Sequence, residues 1–339
     1  MDRIYSVDYI KFYAIFAVVV IHVFPLDGFT GYFVIDNMAR FAVPFFFAAS
    51  GYFFALKIQR EEVPFLYFKN FIIKLVKLYV VWLIFYVSYD VLFILLDSVN
   101  VQEKLITYFK QITFLNLLYY GKGTSGYQLW FLTALIWSMI TVFIFIKLKQ
   151  INVLFFISFV LNLLGLFGQA YTMFYKFPIS STRDAAYFGL FYTTLGVLFA
   201  LNSRLSSLNK LSGRIFLGLA LIGLFVQAME GFILDKILSG SHGEYYFSTI
   251  LLTAFLFLFA LNYKKLGKGL YITKVGANAL GIYIIHVFYL DLFNKFIKFI
   301  DLKHLSENFI WNVGYSIFLF TISYLTYDYL QKIKRGILQ

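Results

Sequence analysis

The sequence predicts an all-α protein: a polytopic integral membrane bundle of about ten transmembrane helices with both termini cytoplasmic. Three observations predict it. Of the 339 residues, 61% are hydrophobic and 14% charged, against about 45–50% and about 25% in soluble domains. Apolar runs of about 17–25 residues, long enough to cross the hydrocarbon as helices, fill most of the chain. Lys and Arg concentrate in alternate connections, as they do when positive residues stay on the cytoplasmic side.

The runs lie at roughly 7–26, 37–57, 71–96, 128–147, 151–170, 184–201, 213–234, 245–262, 272–291 and 308–330. The first carries Asp8 and Lys11 and has no small-residue cleavage site after Pro25. With further spans following, it reads as a membrane helix and not a cleaved signal peptide. The third and tenth need tilt or extension beyond the bilayer. The longest connection, 97–127, is placed outside and ends in Tyr-Tyr-Gly-Lys-Gly-Thr-Ser-Gly-Tyr, read as a flexible turn-former. With the N-terminus inside, 19 of the 29 Lys and Arg, Arg204 and Lys210 among them, fall on the cytoplasmic side and 10 outside. The inside nets +14 and the outside −2, so the formal charge of +12 reports insertion, and no nucleic-acid partner is expected. A single domain over 1–335 is expected.

Composition excludes several classes. So much apolar surface has no interior large enough to hide it in a water-soluble globule. The absence of Cys removes thiol nucleophiles, Cys-based metal sites and disulfide scaffolds. There is no Walker loop, no dinucleotide fingerprint after a strand and no His-Glu-x-x-His, so ATP-driven pumping and zinc proteolysis both lose support, and no metal is expected. No internal repeat stands out, which disfavours transporters built on inverted halves.

Ionisable side chains inside a bilayer are costly, so each is a functional candidate. His22 follows a β-branched run and lies about 22 Å along its helix from residue 7. Lys11, about three turns earlier, shares its face, and Asp8 at i,i+3 can pair with Lys11. The competing reading is an interfacial His, a snorkelling Lys and a helix-start Asp. His286 lies about 21 Å from residue 272 in a helix that also starts inside, which brings it to a depth similar to His22. Tyr283 shares its face, either as a functional neighbour or as aromatic packing. His242 and His304 fall in outer loops and read as solvated. Arg40, Trp130 and Arg183 come to the same outer level. An outer Trp also serves as a simple anchor, whereas arginines at helix starts oppose the dipole and call for a reason. On the cytoplasmic side Lys69, Lys74 and Lys77 open the third helix. Lys74 and Lys77, at i,i+3, suit a phosphate or, equally, anionic headgroups.

At these residues the sequence resembles the membrane acyltransferase family three, whose members O-acylate cell-surface glycans. The likeness runs through Val7-Asp8-Tyr9-Ile10-Lys11, ten residues and His22; Arg40 to Tyr52 with its Val-Pro-Phe-Phe and Ser-Gly-Tyr; Leu129-Trp130-Phe131; Arg183 to Gly196; and Gly281-Ile282-Tyr283-Ile284-Ile285-His286. It covers nearly the whole chain. Two positions depart. Lys11 stands where Arg is commoner, and the family's Arg-x-x-Arg of the third helix is met here by Phe71 with Lys74, or by Lys74 with Lys77.

The resemblance implies a membrane O-acyltransferase of the bacterial cytoplasmic membrane. Acetyl-CoA would be the acyl donor on the cytoplasmic side, its phosphates near Lys74 and Lys77. The acceptor would be a glycan or lipid-linked saccharide on the outer side. His22 would serve as general base or transient acyl carrier, and Lys11 would orient the bundle or donor. Arg40, Trp130, Arg183, Tyr283 and His286 would shape the acceptor pocket. Two other readings compete: a transporter or flippase of a polyprenyl-linked saccharide or small solute, and the membrane half of a racemase-type resistance protein. The last is expected to need a soluble cytoplasmic domain, whereas the chain stops at Gln339, just after the tenth helix.

Overall fold

A computed structural model of the protein describes residues 3–26, 31, 35–96, 99–179, 181–202 and 212–337. Every regular element among them is helical: α1 (Tyr5–Val23), α2 (Asn37–Ala39), α3 (Ala42–Ile58), α4 (Pro64–Leu96), α5 (Val101–Gln111), α6 (Trp130–Lys147), α7 (Ile151–Leu166), α8 (Leu190–Leu201), α9 (Gly213–Phe232), α10 (Phe247–Asn262), α11 (Tyr271–Ala277), α12 (Ala279–Phe299) and α13 (Phe309–Ile337). Among the described residues, seven helices are long and apolar enough to cross a membrane, and three apolar ones, Ile151–Leu166, Ala185–Leu201 and Phe247–Asn262, are shorter. The 16 residues of α7 rise about 24 Å, short of the roughly 30 Å hydrocarbon core. Large apolar side chains face outward, among them Val81, Ile84 and Leu96 on α4 and Ile222 on α9. Lipid is a solvent that accepts such a surface, and water is not.

Four expectations change. The third helix starts at Pro64, suited to a first helical turn because its missing N–H has no partner there anyway; Lys69, Lys74 and Lys77 therefore lie inside it. The connection at 97–127 carries α5, anchored where Asp90 Oδ2 accepts the Tyr108 hydroxyl and the Ser125 N–H, each at 2.9 Å. The ninth helix is split at Asn278 into α11 and α12, and α12 continues to Phe299. The second is interrupted by a turn at Arg40–Phe41. Arg204 and Lys210, counted as cytoplasmic, lie outside the described residues.

The chain forms two units: Met1–Ala49, Leu166–Ser180 and Asn202–Gln339 make the first, Ser50–Gly165 and Ser181–Leu201 the second. In the first, α1 packs on α10, α11, α12 and α13. It buries Val7, Ile10, Ala14, Ile15, Val18 and Val19, spaced at steps that make one face. Gly276 lets α11 close on α1, since a Cβ there would overlap the Asp8 carbonyl. Phe12 and Phe16 meet Phe320 edge-on, at 5.5 and 5.4 Å. The Glu230 carboxylate accepts the N–H groups of Phe247 and Ser248 at 2.9 Å each, together with the Tyr171 hydroxyl. An anion at a helix N-terminus offsets its unpaired donors and dipole, which is why α10 begins there.

In the second unit, α6 packs on α4 and α8. Phe68 and Phe143 stack face to face at 4.0 Å. Gly51 meets the Thr193 carbonyl so closely that no Cβ fits. Asp184 starts the π-helical turn Ala185–Gly189 by accepting the Tyr187 N–H at 2.9 Å.

Candidate functional site

His22 occupies the last turn of α1, before Phe24 turns extended. It is half-buried. His286 lies on α12 and is buried. Their rings stack, with centroids 5.5 Å apart and planes 26° from parallel. His286 Nδ1 is 3.3 Å from the Ile282 carbonyl, four residues back. Placing the hydrogen on Nδ1 satisfies that contact and leaves Nε2 with its lone pair. No hydrogen-bond partner meets this buried Nε2 among the described residues. The Tyr283 ring lies 5.8 Å from that of His286. Helix rise alone expected the two histidines at one depth; the structure puts them in contact.

His22 also lines a cavity of about 310 Å³ with Asn294, Lys298, Trp311, Asn312 and Tyr315. The Tyr315 hydroxyl donates to Asn294 Oδ1 at 3.1 Å. Asn312 Nδ2 donates to the Ser306 carbonyl at 2.8 Å. The Trp311 and Tyr315 rings stack at 6.2 Å. Sequence reasoning missed Asn294 and Lys298 because it ended the ninth span at 291, and it singled out no polar residue of the tenth span, where Trp311, Asn312 and Tyr315 lie. The available signal is the stripe His286, Leu290, Asn294, Ile297, whose steps of three and four continue the helix past that point.

Arg40 has a different setting. It forks onto Asp36, Nε to Oδ2 at 3.1 Å and Nη2 to Oδ1 at 2.6 Å. His242 Nε2 lies 2.9 Å from Arg40 Nη2 and 3.2 Å from Asp36 Oδ2, and Glu244 adds a carboxylate oxygen 3.9 Å from Nη1. Burial pushes the Asp36 carboxyl up, but the Arg40 charge and the His242 ring outweigh it and hold the group below the ordinary carboxylate value. Behind the pair, Asn37 Oδ1 accepts the Tyr246 hydroxyl at 2.6 Å, and the Asn37 carbonyl accepts Gln227 Nε2 at 2.6 Å. His242, expected to be solvated, thus belongs to a charged cluster, whereas His304 is exposed as expected. Lys11 pairs with Asp8 at 3.8 Å, and Arg3 shares that carboxylate at 2.9 Å. Eleven residues of rise put Lys11 about 16 Å along α1 from His22.

The second unit holds the remaining candidates. The Arg183 guanidinium lies over the Trp130 ring, 4.9 Å from its centroid. Trp130 is only 4% exposed, so it is a packed ring and not an interfacial anchor. Burial raises the neighbouring Asp184 carboxyl, against the Tyr187 N–H that lowers it. Lys74 and Lys77 are exposed on α4. An apolar cavity of about 240 Å³ opens among Tyr119, Trp137, Ser138, Thr141, Ala185 and Leu190.

Comparison with known proteins adds the decisive observation: a family model for the acyltransferase domain, type 3, matches residues 4–328. The chain belongs to this family. Its apolar helices fit a multi-pass membrane protein. The chain is also 32% identical over 169 residues to an amino-acid racemase of Enterococcus faecalis. That stretch is 49% of this chain and 22% of the racemase, so the chain spans about a fifth of that relative's length. No solved structure matches it.

Within the chain, His22, Lys11, Arg40, Tyr283 and His286 belong to the first unit, and Lys74, Lys77, Trp130 and Arg183 to the second. Among the described residues, no three His, Asp or Glu side chains gather as metal ligands. Two histidines in contact, one on a cavity wall and one with an unspent nitrogen, are suited to accepting and holding a proton.

Proposed function

We propose that this acyltransferase moves an acetyl group from cytoplasmic acetyl-CoA to a hydroxyl of a cell-envelope glycan or lipid-linked saccharide outside the bacterial cytoplasmic membrane. The observation that carries the reading is His22 on a polar cavity wall, with His286 stacked behind it. His22 takes the hydroxyl proton as the oxygen attacks the thioester carbonyl. The C–S bond breaks, the acetyl group passes to the oxygen, and the sulfur leaves as a thiolate that regains a proton. One free thiol appears per ester formed.

The seven long helices and the three shorter apolar ones make ten crossings, with both ends on the Lys/Arg-rich side. Lys74 and Lys77 on α4 meet the donor's phosphates as point charges. Lys11 orients the inner end of α1 through Asp8. Tyr283 and His286 back the base. Trp130 and Arg183 meet the acceptor, while Arg40, forked on Asp36, holds the first unit together.

The test is acceptor-dependent thiol release from acetyl-CoA in membranes holding the protein, with mass spectrometry of the acylated glycan. His22→Ala is expected to lower the rate about 10²–10⁴-fold while the protein remains folded by size-exclusion chromatography. A wild-type rate in that variant would remove His22 from the chemistry. The helix interruptions at Arg40–Phe41 and Asn278 favour a second reading, movement of a lipid-linked saccharide across the bilayer. That process needs no acyl-CoA, so the same assay separates the two.

A further inference from the structure

We infer that the cavity beside His22 is a sugar subsite selective for an acceptor with an acidic group, such as a uronic acid, next to the reacting hydroxyl. The inference rests on the reading of His22 as the base that meets that hydroxyl. Its volume of about 310 Å³ lies at the small end of the roughly 300–1,000 Å³ of ligand sites, a size for one ring and not an extended chain.

The wall carries the features a sugar ring uses. Trp311 is 37% exposed and offers an aromatic face to the apolar side of a ring. The amides are held in defined orientations. Because the Tyr315 hydroxyl donates to Asn294 Oδ1, the Asn294 Nδ2 hydrogens remain as donors. Because Asn312 Nδ2 donates to the Ser306 carbonyl, Asn312 Oδ1 remains as an acceptor. Donor and acceptor thus come from α12 and α13, two helices packed on each other.

Charge decides between neutral and acidic sugars. Lys298 is the ammonium on the wall, and no acidic residue lines the cavity among the described residues. Among the described residues Lys298 has no ion-pair partner, whereas Lys295, one turn earlier, is tied to Asp291 at 2.6 Å. A neutral ring gains only a hydrogen bond from the exposed Lys298 ammonium to a hydroxyl. A carboxylate gains a hydrogen bond charged on both sides.

The test measures binding of a glucuronic-acid oligosaccharide and its carboxyl-reduced, neutral counterpart to the protein in phosphatidylcholine nanodiscs, by titration calorimetry. The acidic ligand is expected to bind about tenfold more tightly, the effect of one charged hydrogen bond, and to lose most of that preference in high salt. Lys298→Gln is expected to bind both ligands alike, and Trp311→Ala to weaken both. Equal affinities in the wild type, no binding of either ligand, or a preference that survives Lys298→Gln would overturn the inference. A preference abolished by Lys298→Gln, in a protein that releases no thiol, removes the acyl-transfer reading and leaves the sugar site standing. Acyl transfer without the preference removes the sugar site alone.

Discussion

The stacked pair His22–His286 and the cluster Asp36–Arg40–His242 are both expensive polar groups set in the same unit, and they differ in whether charge is paired within them. Arg40 is forked on one carboxylate, touches His242 and has a second carboxylate within 3.9 Å. The Asn37 side chain next to Asp36 is tied to Tyr246. The Asn37 Nδ2 beside it has no hydrogen-bond partner among the described residues, so what marks this cluster is paired charge. Beyond its ring contacts, His286 has the Nδ1 contact to the Ile282 carbonyl, and its Nε2 has no hydrogen-bond partner among the described residues. Paired buried charges gain most from staying as they are. An uncharged ring nitrogen with its lone pair has something to offer a substrate or a moving proton. The same residue types, read from sequence as one polar layer, therefore separate into a structural group and a reactive one.

The strongest way to break that division is to cut the cluster. Arg40→Ala leaves the Asp36 side chain, 2% exposed, buried without its main counter-charge. Removing one partner of a buried pair costs about 3–5 kcal/mol. The expected result is a large fall in melting temperature in detergent, or no folded protein. Replacing both partners, Asp36→Leu with Arg40→Met, is expected to recover most of the loss, because paired apolar groups leave no orphan charge. An Arg40→Ala protein that melts with the wild type would show that the cluster does not hold the fold.

The histidine pair predicts the reverse pattern. His286→Phe keeps a ring against His22 and removes both nitrogens. The Ile282 carbonyl loses only a 3.3 Å side-chain contact, and the orphan Nε2 disappears, so melting is expected to change by about 1 kcal/mol or less. Acyl transfer is expected to fall about 10–100-fold, equivalent to about 1.4–2.7 kcal/mol, through loss of the group that positions His22. Full activity in a well-folded His286→Phe protein would reduce His286 to packing.

The depth of both histidines is legible in the sequence because a fixed rise per residue needs only two helices that start on the same side. Half of the Arg40 cluster is equally local, since Asp36 stands four residues away. The other half is not. His242 arrives from 202 positions along the chain, in a loop where no periodicity marks it. Hydropathy also misplaces the end of α12: Asn294, Lys295 and Lys298 look like a loop, yet the Asp291–Lys295 pair at i,i+4 supports the helix beyond the apolar run. The α5 segment stays hidden for a related reason. At 11 residues, with Glu103, Lys104 and Lys110 between its apolar positions, it is too short and too polar to register as a span. Which helices are uninterrupted is likewise a tertiary outcome, as Gly276 shows: its missing side chain matters only because α1 lies against it.

Acid titration gives the smallest effect and the finest discrimination. Asp36 is held below its ordinary value of 3.8 in the folded protein. A carboxyl with a depressed folded value contributes stability that is fully present above its unfolded value and lost as pH falls through the folded one. Lowering the pH from 7 to 5 is therefore expected to leave the Asp36 contribution intact, and the decline begins only below about pH 4. The Asp36→Leu, Arg40→Met protein lacks this group and is expected to show a shallower loss below pH 4, with the two melting curves parallel above it. Asp184, raised by burial, has the opposite sign: its contribution is greatest at low pH and diminishes as the pH rises through its folded value. Asp184→Asn is then expected to remove a loss on the alkaline side of the carboxylate range that Asp36 variants leave untouched. If both acids shift melting on the same side, the ion-paired environment assigned to Asp36 is wrong.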